Sequence, residues 1–318
     1  MIDLQDFRAA RRAISSHMRL TAVFKADNFA SKSVFDKPDR LPEMFLKLEN
    51  MQVTGSFKAR GAMNAALALD KEKRANGLCT ASGGNHGMGV IHAARILGVP
   101  VKIFLPTNTP KPKVEKLRAQ GVDVALTGAV WDDANRAAMD HARQSNMAYI
   151  HPFADPKVIA GQGTIALEML EQQPDLDTLV VAIGGGGLIS GVATAARLLR
   201  PAIRIIGVEP TGAATLFESL KAGEVVTLPT VNTAATSLAP RQSSALNVDL
   251  IGKNVDRIAL VSDEEMQQAA SWLWRELGIA VELSAAAGMA AIMKDRLGVS
   301  DPGRIGVIIC GTGNDGMK

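Results

Sequence analysis

The sequence predicts an α/β fold, and three observations support this prediction. Short apolar segments alternate with Ala-rich segments of helical period along most of the 318 residues. Several apolar segments lack the polar alternation of a half-exposed strand, which is typical of buried parallel strands. Three glycine-rich stretches directly follow such segments, and in open α/β sheets ligands bind beyond the carboxyl ends of the strands. We therefore expect parallel strands, flanking helices and a ligand site at the strand ends.

The elements follow one another in a simple alternation. The predicted strands are MFLKLE (44–49), LCTA (78–81), VKIFL (101–105), VDVALT (122–127), LVVAIG (179–184), RIIGVE (204–209), RIALV (257–261) and IGVIIC (305–310). The helix-period segments between them are FKARGAMNAALAL, KPKVEKLRAQG, AGQGTIALEMLEQ, LISGVATAARLL and DEEMQQAASWLWRELG. We expect Asp263 to cap the last of these helices and Gly278 to end it. No repeat or low-complexity linker divides the chain, so a second domain is expected to be inserted into the first.

Composition excludes several functional classes. The 35 Lys and Arg and the 32 Asp and Glu residues are scattered, so no basic stripe offers a surface to nucleic acid or an anionic membrane. The two cysteines, Cys79 and Cys310, are too few for a disulfide framework or a zinc cluster and fit a reducing compartment. The first residues lack the apolar segment of a signal peptide, and no run approaches the ~20 apolar residues of a membrane span. We expect a cytoplasmic protein that acts on small molecules.

The three glycine-rich stretches predict an anion-binding site. ASGGNHG (81–87) can turn its backbone N–H groups toward one point, and Asn85 adds a side-chain amide. The four glycines 184–187 precede a helix, where free N–H groups and the helix dipole favour a phosphate. CGTGN (310–314) follows the last strand.

The familiar nucleotide motifs do not fit these loops. A G-x-G-x-x-G motif beginning at Gly184 or Gly185 would need glycine where Ile189 or Ser190 stands, and a Walker loop would need lysine where Val90 stands. What remains is a phosphate cup, an Asn in a turn, a small polar residue at a strand end, and a lysine in VTGSFKARG. A phosphorylated, aldehyde-bearing cofactor would use all four.

The ordered set LKLENMQVTGSFKARGA, ASGGNHG, HPFADPKVIAGQGTIALEM, GGGGLISG, GVEP and CGTGN resembles a known family. It is similar to the threonine/serine dehydratase branch of the fold type II pyridoxal-phosphate enzymes, the tryptophan-synthase-β-like group, from about Leu46 to the end of the chain. The resemblance implies two open, mostly parallel twisted sheets with flanking helices. It also implies a small domain (50–142) inserted in a large domain (1–49 and 143–318), pyridoxal 5'-phosphate as cofactor, and a homo-oligomer, dimeric or larger.

The resemblance also implies roles for single residues. Lys58 matches the catalytic lysine that forms a Schiff base with the cofactor. The other cofactor-binding positions are the neighbouring aromatic Phe57, Asn85 at the ring 3′ oxygen, the phosphate loop of Gly184, Gly185, Gly186 and Gly187, a nearby Glu282, and Cys310 at the pyridine nitrogen. That last contact could instead pass to Thr312. The substrate carboxylate would meet a loop with Ser82, Gly83, Gly84 and His86, bordered by Thr54 and Ser56.

The implied activity is β-elimination of a β-hydroxy amino acid such as L-threonine or L-serine, giving a 2-oxo acid and ammonia. A free lysine is almost wholly protonated at neutral pH, so we expect burial or a neighbouring cation to lower the pKa of Lys58. Thr215 follows Glu209 where some relatives have a second metal-binding carboxylate, so no strong metal site is predicted. The chain ends soon after the last strand, which predicts that no allosteric domain is present.

Three alternatives stay open. A β-replacement enzyme of the cysteine-synthase kind would usually carry Asp after the lysine, where Ala59 stands here. A racemase of this group would carry Ser in place of Gly83, which cannot move a proton. A catalytically silent relative that binds an amino acid would not need Lys58. The substrate side chain is also open, and Phe153 matches a position in the wall of its pocket.

Overall fold

The structure, a computed structural model, describes residues 2–317. Its strands are β1 (Val23–Ala26), β2 (Met44–Lys47), β3 (Leu78–Thr80), β4 (Val101–Leu105), β5 (Asp123–Leu126), β6 (Ala148–Tyr149), β7 (Thr178–Ala182), β8 (Arg204–Pro210), β9 (Arg257–Val261) and β10 (Ile305–Ile308). Its helices are α1 (Leu4–Ile14), α2 (Lys58–Leu67), α3 (Lys71–Ala75), α4 (Asn85–Leu97), α5 (Lys111–Arg118), α6 (Trp131–Ser145), α7 (Pro156–Gln172), α8 (Gly187–Leu199), α9 (Thr215–Ala222), α10 (Ala245–Asn254), α11 (Asp263–Leu277) and α12 (Leu283–Met293). Every predicted strand and helix is present, with ends shifted by a few residues.

Within residues 2–317 the strands form two sheets. The larger has the order β1-β2-β10-β7-β8-β9, and the smaller has the order β5-β4-β3-β6. All pairings are parallel except that of the edge strand β1 with β2. The central strands are buried along their length, as parallel strands covered on both faces by helices must be. This arrangement confirms the predicted fold class of two mostly parallel sheets with flanking helices.

Two strands were not predicted. β1 is a short edge strand with one buried residue, Ala26, and β6 has only two residues, so neither has an apolar pattern long enough to detect. β6 pairs with β3, with Ala148 opposite Leu78. The smaller sheet therefore extends beyond residue 142, where the sequence placed the boundary of the small domain. The division into two domains itself stays a prediction.

Helices α2 and α7 are in direct contact. A Cβ at Gly161 would lie 2.6 Å from the Cα of Gly61, so glycine at this position lets the two backbones touch. Both helices are buried along most of their length. None of the helices in the described residues combines the length and the apolar character needed to cross a bilayer.

The start of α11 differs from the prediction. Ser262, not Asp263, is the N-cap residue, and its hydroxyl accepts the Glu265 N–H at 3.2 Å while the Glu265 carboxylate accepts the Ser262 N–H at 2.8 Å. The Asp263 carboxylate faces another segment instead, where it accepts the N–H of Ala234 at 2.6 Å. The reciprocal capping box satisfies two free N–H groups at once, which favours Ser262. Gly278 ends the helix in a left-handed conformation, as predicted.

Candidate active site

Lys58 is the first residue of α2, and a tight turn directs it. The preceding segment Val53–Gly55 places Thr54 at a φ of 66°, a left-handed conformation that is costly for a β-branched residue. The chain then extends at Ser56, which forms an isolated bridge with Gly311, and the Phe57 N–H donates to the Cys310 carbonyl at 3.2 Å. The turn thus fastens the start of α2 to the segment that follows β10.

Burial lowers the pKa of the Lys58 amine to about 8. Its Nζ donates to the Pro152 carbonyl at 2.7 Å and lies 5.2 Å from the centre of the Phe57 ring. Cys310 and Glu282 act in the opposite direction and favour the charged amine. With such a pKa about a tenth of the amine is neutral at pH 7, and the neutral form is the one that a nucleophile or general base requires.

The loop of Gly184, Gly185, Gly186 and Gly187 lies between β7 and α8, as the sequence predicts. Gly186 has a φ of 93° and forms the N-cap of α8. A Cβ at Gly185 would lie 2.3 Å from the Phe153 ring, and one at Gly187 would lie 2.8 Å from the Phe153 Cα. Side chains are therefore excluded beside Phe153, and free N–H groups remain at the start of a helix of 13 residues. This is the geometry of a phosphate cup.

Asn85 and Glu282 meet directly. The Asn85 amide donates to the Glu282 carboxylate at 2.9 Å, and the Ser237 hydroxyl donates to the same carboxylate at 3.3 Å. Burial raises the pKa of Glu282, and these hydrogen bonds oppose that rise. Glu282 stands at the N-cap position of α12, but its side chain does not cap that helix. The carboxylate therefore faces the site and links the Asn85 loop to Ser237.

Cys310 and Thr312 have different surroundings. The Cys310 thiol is buried, and burial together with the Glu282 carboxylate raises its pKa, so the thiol keeps its proton at neutral pH. Thr312 is exposed, and its hydroxyl is directed at the Ala280 carbonyl at 3.5 Å. The surroundings favour Cys310 over Thr312 as a residue facing a buried ring.

The predicted substrate-binding residues lie in two short segments. Thr54 and Ser56 each present a buried hydroxyl oxygen that has no hydrogen-bond partner among residues 2–317. In the second segment the Ser82 hydroxyl accepts the Gly84 N–H at 3.3 Å, which closes the turn before α4. A Cβ at Gly83 would lie 2.9 Å from the Leu105 side chain, so the loop packs against β4 at this point.

His86 is buried beside these segments. Its Nε2 lies 3.0 Å from the Ile150 carbonyl, and burial, with Lys58 nearby, lowers its pKa to about 3. The imidazole is therefore neutral at physiological pH, and its contact with the Ile150 carbonyl joins this loop to the segment after β6.

Several residues of the site were not predicted. The Pro152 carbonyl is the partner of Lys58, and Asn247 and Ser243 donate to the Gly185 carbonyl at 2.7 and 2.9 Å. The histidine next to Pro152, His151, accepts the Phe153 and Ala154 N–H groups through Nδ1 and so shapes the same turn. The segment HPFADP, which contains His151 and Pro152, begins one of the motifs that carry the family resemblance, so the sequence offered a signal for it. Asn247 lies in none of these motifs.

Arg241 and Glu209 take structural positions. The Arg241 guanidinium donates to the Leu228 carbonyl at 3.0 Å on the surface. The Glu209 carboxylate accepts the Leu216 and Phe217 N–H groups at the start of α9. Among residues 2–317 no group of three or more His, Cys, Asp or Glu side chains could hold a metal ion.

Comparison with known proteins identifies the family. The chain matches the family described as pyridoxal-phosphate dependent enzyme over residues 14–311. The chain belongs to this family. The enzyme is 37% identical to L-threonine ammonia-lyase of Thermotoga maritima over 98% of its length and 75% of that protein. It is 37% identical to phenylserine dehydratase of Ralstonia pickettii over 98% and 94% of the two chains.

A solved structure gives the same result. Maize serine racemase superimposes on the enzyme with a TM-score of 0.90 at 35% identity, and the match covers 98% of this chain and 93% of that one. Together these relatives confirm the threonine/serine dehydratase branch, pyridoxal phosphate as cofactor, and the predicted class of a pyridoxal-phosphate-dependent ammonia-lyase.

The residues of the site fit pyridoxal phosphate. A lysine amine with a lowered pKa suits an aldehyde, and the glycine loop at the start of α8 suits a phosphate. The protonated thiol of Cys310 lies in the same buried region. The unpaired hydroxyls of Thr54 and Ser56 leave hydrogen-bonding capacity for a bound molecule, because a buried polar group without a partner is costly.

Proposed function

We propose that the enzyme eliminates water from a small β-hydroxy amino acid of the serine and threonine type and releases a 2-oxo acid and ammonia, with Lys58 as the base. The observation that supports this most is the Lys58 amine, whose pKa burial lowers to about 8, on a segment in which the nearby residues Thr54 and Ser56 carry unpaired buried hydroxyls. The cofactor, when bound, supplies a ring system that accepts electrons from the Cα of the substrate. Lys58, Phe57, Asn85, Glu282, Cys310 and the glycines 184–187 would hold it.

The protein groups divide the remaining work. The Thr54 and Ser56 hydroxyls and the Ser82 to His86 loop would bind the substrate carboxylate and fix the direction of the Cα–H bond. Lys58 would take the Cα proton, and its protonated amine would supply, in net balance, the proton that the hydroxyl needs as the Cβ–O bond breaks, so that water leaves and the amine is neutral again. The enamine so formed would tautomerise and consume one water, giving a 2-oxo acid and ammonia. The Pro152 carbonyl would hold the protonated Lys58 amine through its hydrogen bond.

Racemisation is the second candidate, because serine racemases are among the close relatives. A racemase needs an acid on the second face of the substrate. The residue at position 83 is glycine, and its missing side chain would meet the Leu105 and Lys113 side chains. No hydroxyl is available there, so we propose elimination as the main reaction. The substrate side chain would contact Phe153, which favours an apolar substituent.

Purified enzyme would test the proposal. We expect a Schiff-base absorbance band and release of ammonia and 2-oxo acid from at least one of L-threonine, L-serine, threo-hydroxyaspartate and phenylserine. Lys58→Ala should lose both, whereas Lys111→Ala, at the exposed first residue of α5, should keep both. A band that persists in Lys58→Ala would overturn the assignment of the base. A band without ammonia from any of these substrates would overturn the elimination.

The predicted cytoplasmic location, which rests on composition, and the predicted homo-oligomer and two-domain division, which rest on the resemblance, belong to this proposal. Light scattering of the purified enzyme would give the size of the assembly, and a monomeric mass would contradict the predicted oligomer.

A further inference from the structure

Four charged side chains lie buried behind the start of α2, and the proposed reaction does not use them. They are Lys47, Glu49, Arg60 and Glu168, called here the inner ion cluster, and none is more than 7% exposed. Their formal charges cancel, two positive against two negative. They come from the end of β2 and the segment after it, from α2 and from α7.

Arg60 is the centre of the inner ion cluster. Its guanidinium donates to the Glu49 carboxylate through Nε and Nη2, each at 2.8 Å. It donates to the Glu168 carboxylate through Nη1 at 2.6 Å and through Nη2 at 2.8 Å. Nη1 also lies 3.2 Å from the Thr164 hydroxyl. Two bidentate contacts on one planar group fix its orientation as well as its position.

The other members are also fully bonded. Lys47 Nζ donates to the Glu168 carboxylate and the Thr21 carbonyl, each at 2.8 Å, and to the Gln172 side chain at 2.9 Å. The Thr21 hydroxyl donates to Glu49 at 2.5 Å. Each ammonium and guanidinium therefore has acceptors on several sides, and each carboxylate has donors from two segments.

The inner ion cluster ties together the three segments that build the proposed site. Arg60 follows Lys58 by two residues on α2. Glu49 precedes the turn that carries Thr54 and Ser56. Glu168 belongs to α7, whose N-terminal flank supplies the Pro152 carbonyl that accepts from Lys58.

Stability alone does not account for such a cluster. Removing charges from water costs about as much as their attraction returns, and apolar residues of equal volume often stabilise a core as well or better. Nor does any member of the cluster shift the pKa of Lys58, which burial lowers and the Glu282 carboxylate raises. What the two bidentate contacts add is a fixed geometry.

We propose that Arg60 is a positioning residue for Lys58. Arg60 binds Glu49 and Glu168 at the same time, and these contacts set the orientation of α2. That orientation places the lysine amine between the turn of residues 54–56 and the Pro152 carbonyl. This inference rests on the proposed role of Lys58. It predicts that a positive charge at position 60 does not by itself position Lys58, and that the two bidentate contacts of the planar guanidinium are needed for this.

Arg60→Lys tests this inference, because lysine keeps the positive charge but cannot make the bidentate contacts of a guanidinium. The holoenzyme should retain the cofactor on Lys58, detected by borohydride reduction and mass spectrometry. Its visible circular dichroism band should weaken, since that band reports how the chromophore is held. We expect kcat to fall by roughly tenfold to a hundredfold, as misplaced reacting groups cause, while KM changes little. Arg11→Lys is the matched control, because Arg11 makes a bidentate pair with Glu171 on the outer side of α7.

The outcomes are distinct. A wild-type dichroism band and wild-type kcat in Arg60→Lys, with only a lower melting temperature, would mean a purely structural role and overturn the inference. If Arg60→Lys does not fold, Glu168→Gln takes its place, because glutamine keeps the shape of the side chain and weakens one of the two bidentate contacts. The dichroism band and kcat of Glu168→Gln are then judged in the same way. A wild type without a band that depends on Lys58 would instead refute the proposed function.

Discussion

At the scale of single residues, we expect the buried hydroxyls of Thr54 and Ser56 to lower the stability of the fold while they assist ligand binding. Ser56 is fully buried and has no hydrogen-bond partner among the described residues. An unpaired buried hydroxyl costs about 1–3 kcal/mol, which a substrate carboxylate would offset on binding. A ligand that accepts a hydrogen bond from either hydroxyl would remove this cost.

Ser56→Ala should separate the two effects. We expect the free energy of unfolding to rise by about 1 kcal/mol in urea, because a buried group without a partner is removed. The KM for the amino acid should rise about tenfold, the loss of one hydrogen bond to a charged group. Ser219→Ala is the control, because the Ser219 hydroxyl is bonded to Thr215 and Val226 and its loss should destabilise the fold. Destabilisation by Ser56→Ala would show that its hydroxyl has a partner in the free enzyme.

The pKa of Lys58 gives a second prediction. Burial lowers it from 10.5 to about 8, so the neutral amine becomes dominant above pH 8 instead of above pH 10. The rate at which the apoenzyme takes up pyridoxal phosphate should therefore rise with pH, with a midpoint near 8, and then level off. Stopped-flow absorbance between pH 6.5 and 10 would measure it. A rate still rising steeply at pH 10 would mean that the amine is exposed to water in the apoenzyme.

The sequence named much of the proposed site but not all of it. Lys58, Asn85 and the four glycines could be recognised because their residue types and spacing carry the chemistry. The Pro152 carbonyl could not, because every residue has a carbonyl and only the fold decides which one meets an amine. Asn247 is separated from the glycine loop by about sixty residues and reaches it only through the packing of α10 on α8.

At the scale of elements, α9 shows that a helix can be capped from outside. The residue before α9 is Ala214, which has no side chain able to cap. Instead the Glu209 carboxylate, buried at the end of β8, accepts the Leu216 N–H at 2.9 Å and the Phe217 N–H at 2.8 Å.

Glu209→Ala should destabilise the protein by about 2 kcal/mol, because two N–H groups of α9 lose their buried acceptor. Glu209→Gln keeps one acceptor oxygen and should cost less. Urea unfolding monitored by far-ultraviolet circular dichroism would measure both. Equal losses in the two variants would mean that packing of the side chain, and not its hydrogen bonds, holds α9 in place.

Elements were predictable where a local pattern was long enough. The eight apolar strands and the Ala-rich helices are such patterns, and the structure contains all of them. The edge strand β1 and the two-residue β6 exist only because β2 and β3 offer them partners. The N-cap of α11 was misread by one residue because Ser262 and Asp263 are both good caps, and only the contact of Asp263 with Ala234 decides between them.

At the scale of the whole molecule, the order of strands could not be read from local patterns. The last strand, β10, inserts between β2 and β7, which brings CGTGN beside the start of α2. No rule of periodicity predicts that pairing, whereas the resemblance implied the architecture as a unit. Trp272 and Trp274 illustrate a simpler rule, since two residues apart on a helix cannot share a face; Trp272 is buried and Trp274 is 39% exposed.

The crossing of α2 and α7 connects this architecture to the proposed chemistry. A Cβ at Gly161 would lie 2.6 Å from the Gly61 Cα and 2.7 Å from the Arg60 carbonyl, which are backbone atoms and cannot turn aside. Gly161→Ala must therefore push the helices apart, at a cost of about 1–3 kcal/mol. The displacement begins three residues from Lys58, so the Schiff-base band should weaken together with the free energy of unfolding.

Gly252→Ala on α10 is the control: its nearest contact would be an ordinary 3.5 Å, and it should stabilise the enzyme by about 1 kcal/mol and leave the band unchanged. Urea unfolding and absorbance of both holoenzymes would measure the difference. If Gly161→Ala keeps wild-type stability, the two helices do not touch as tightly as the structure describes; if it loses stability but keeps the band, the crossing supports the fold without directing Lys58.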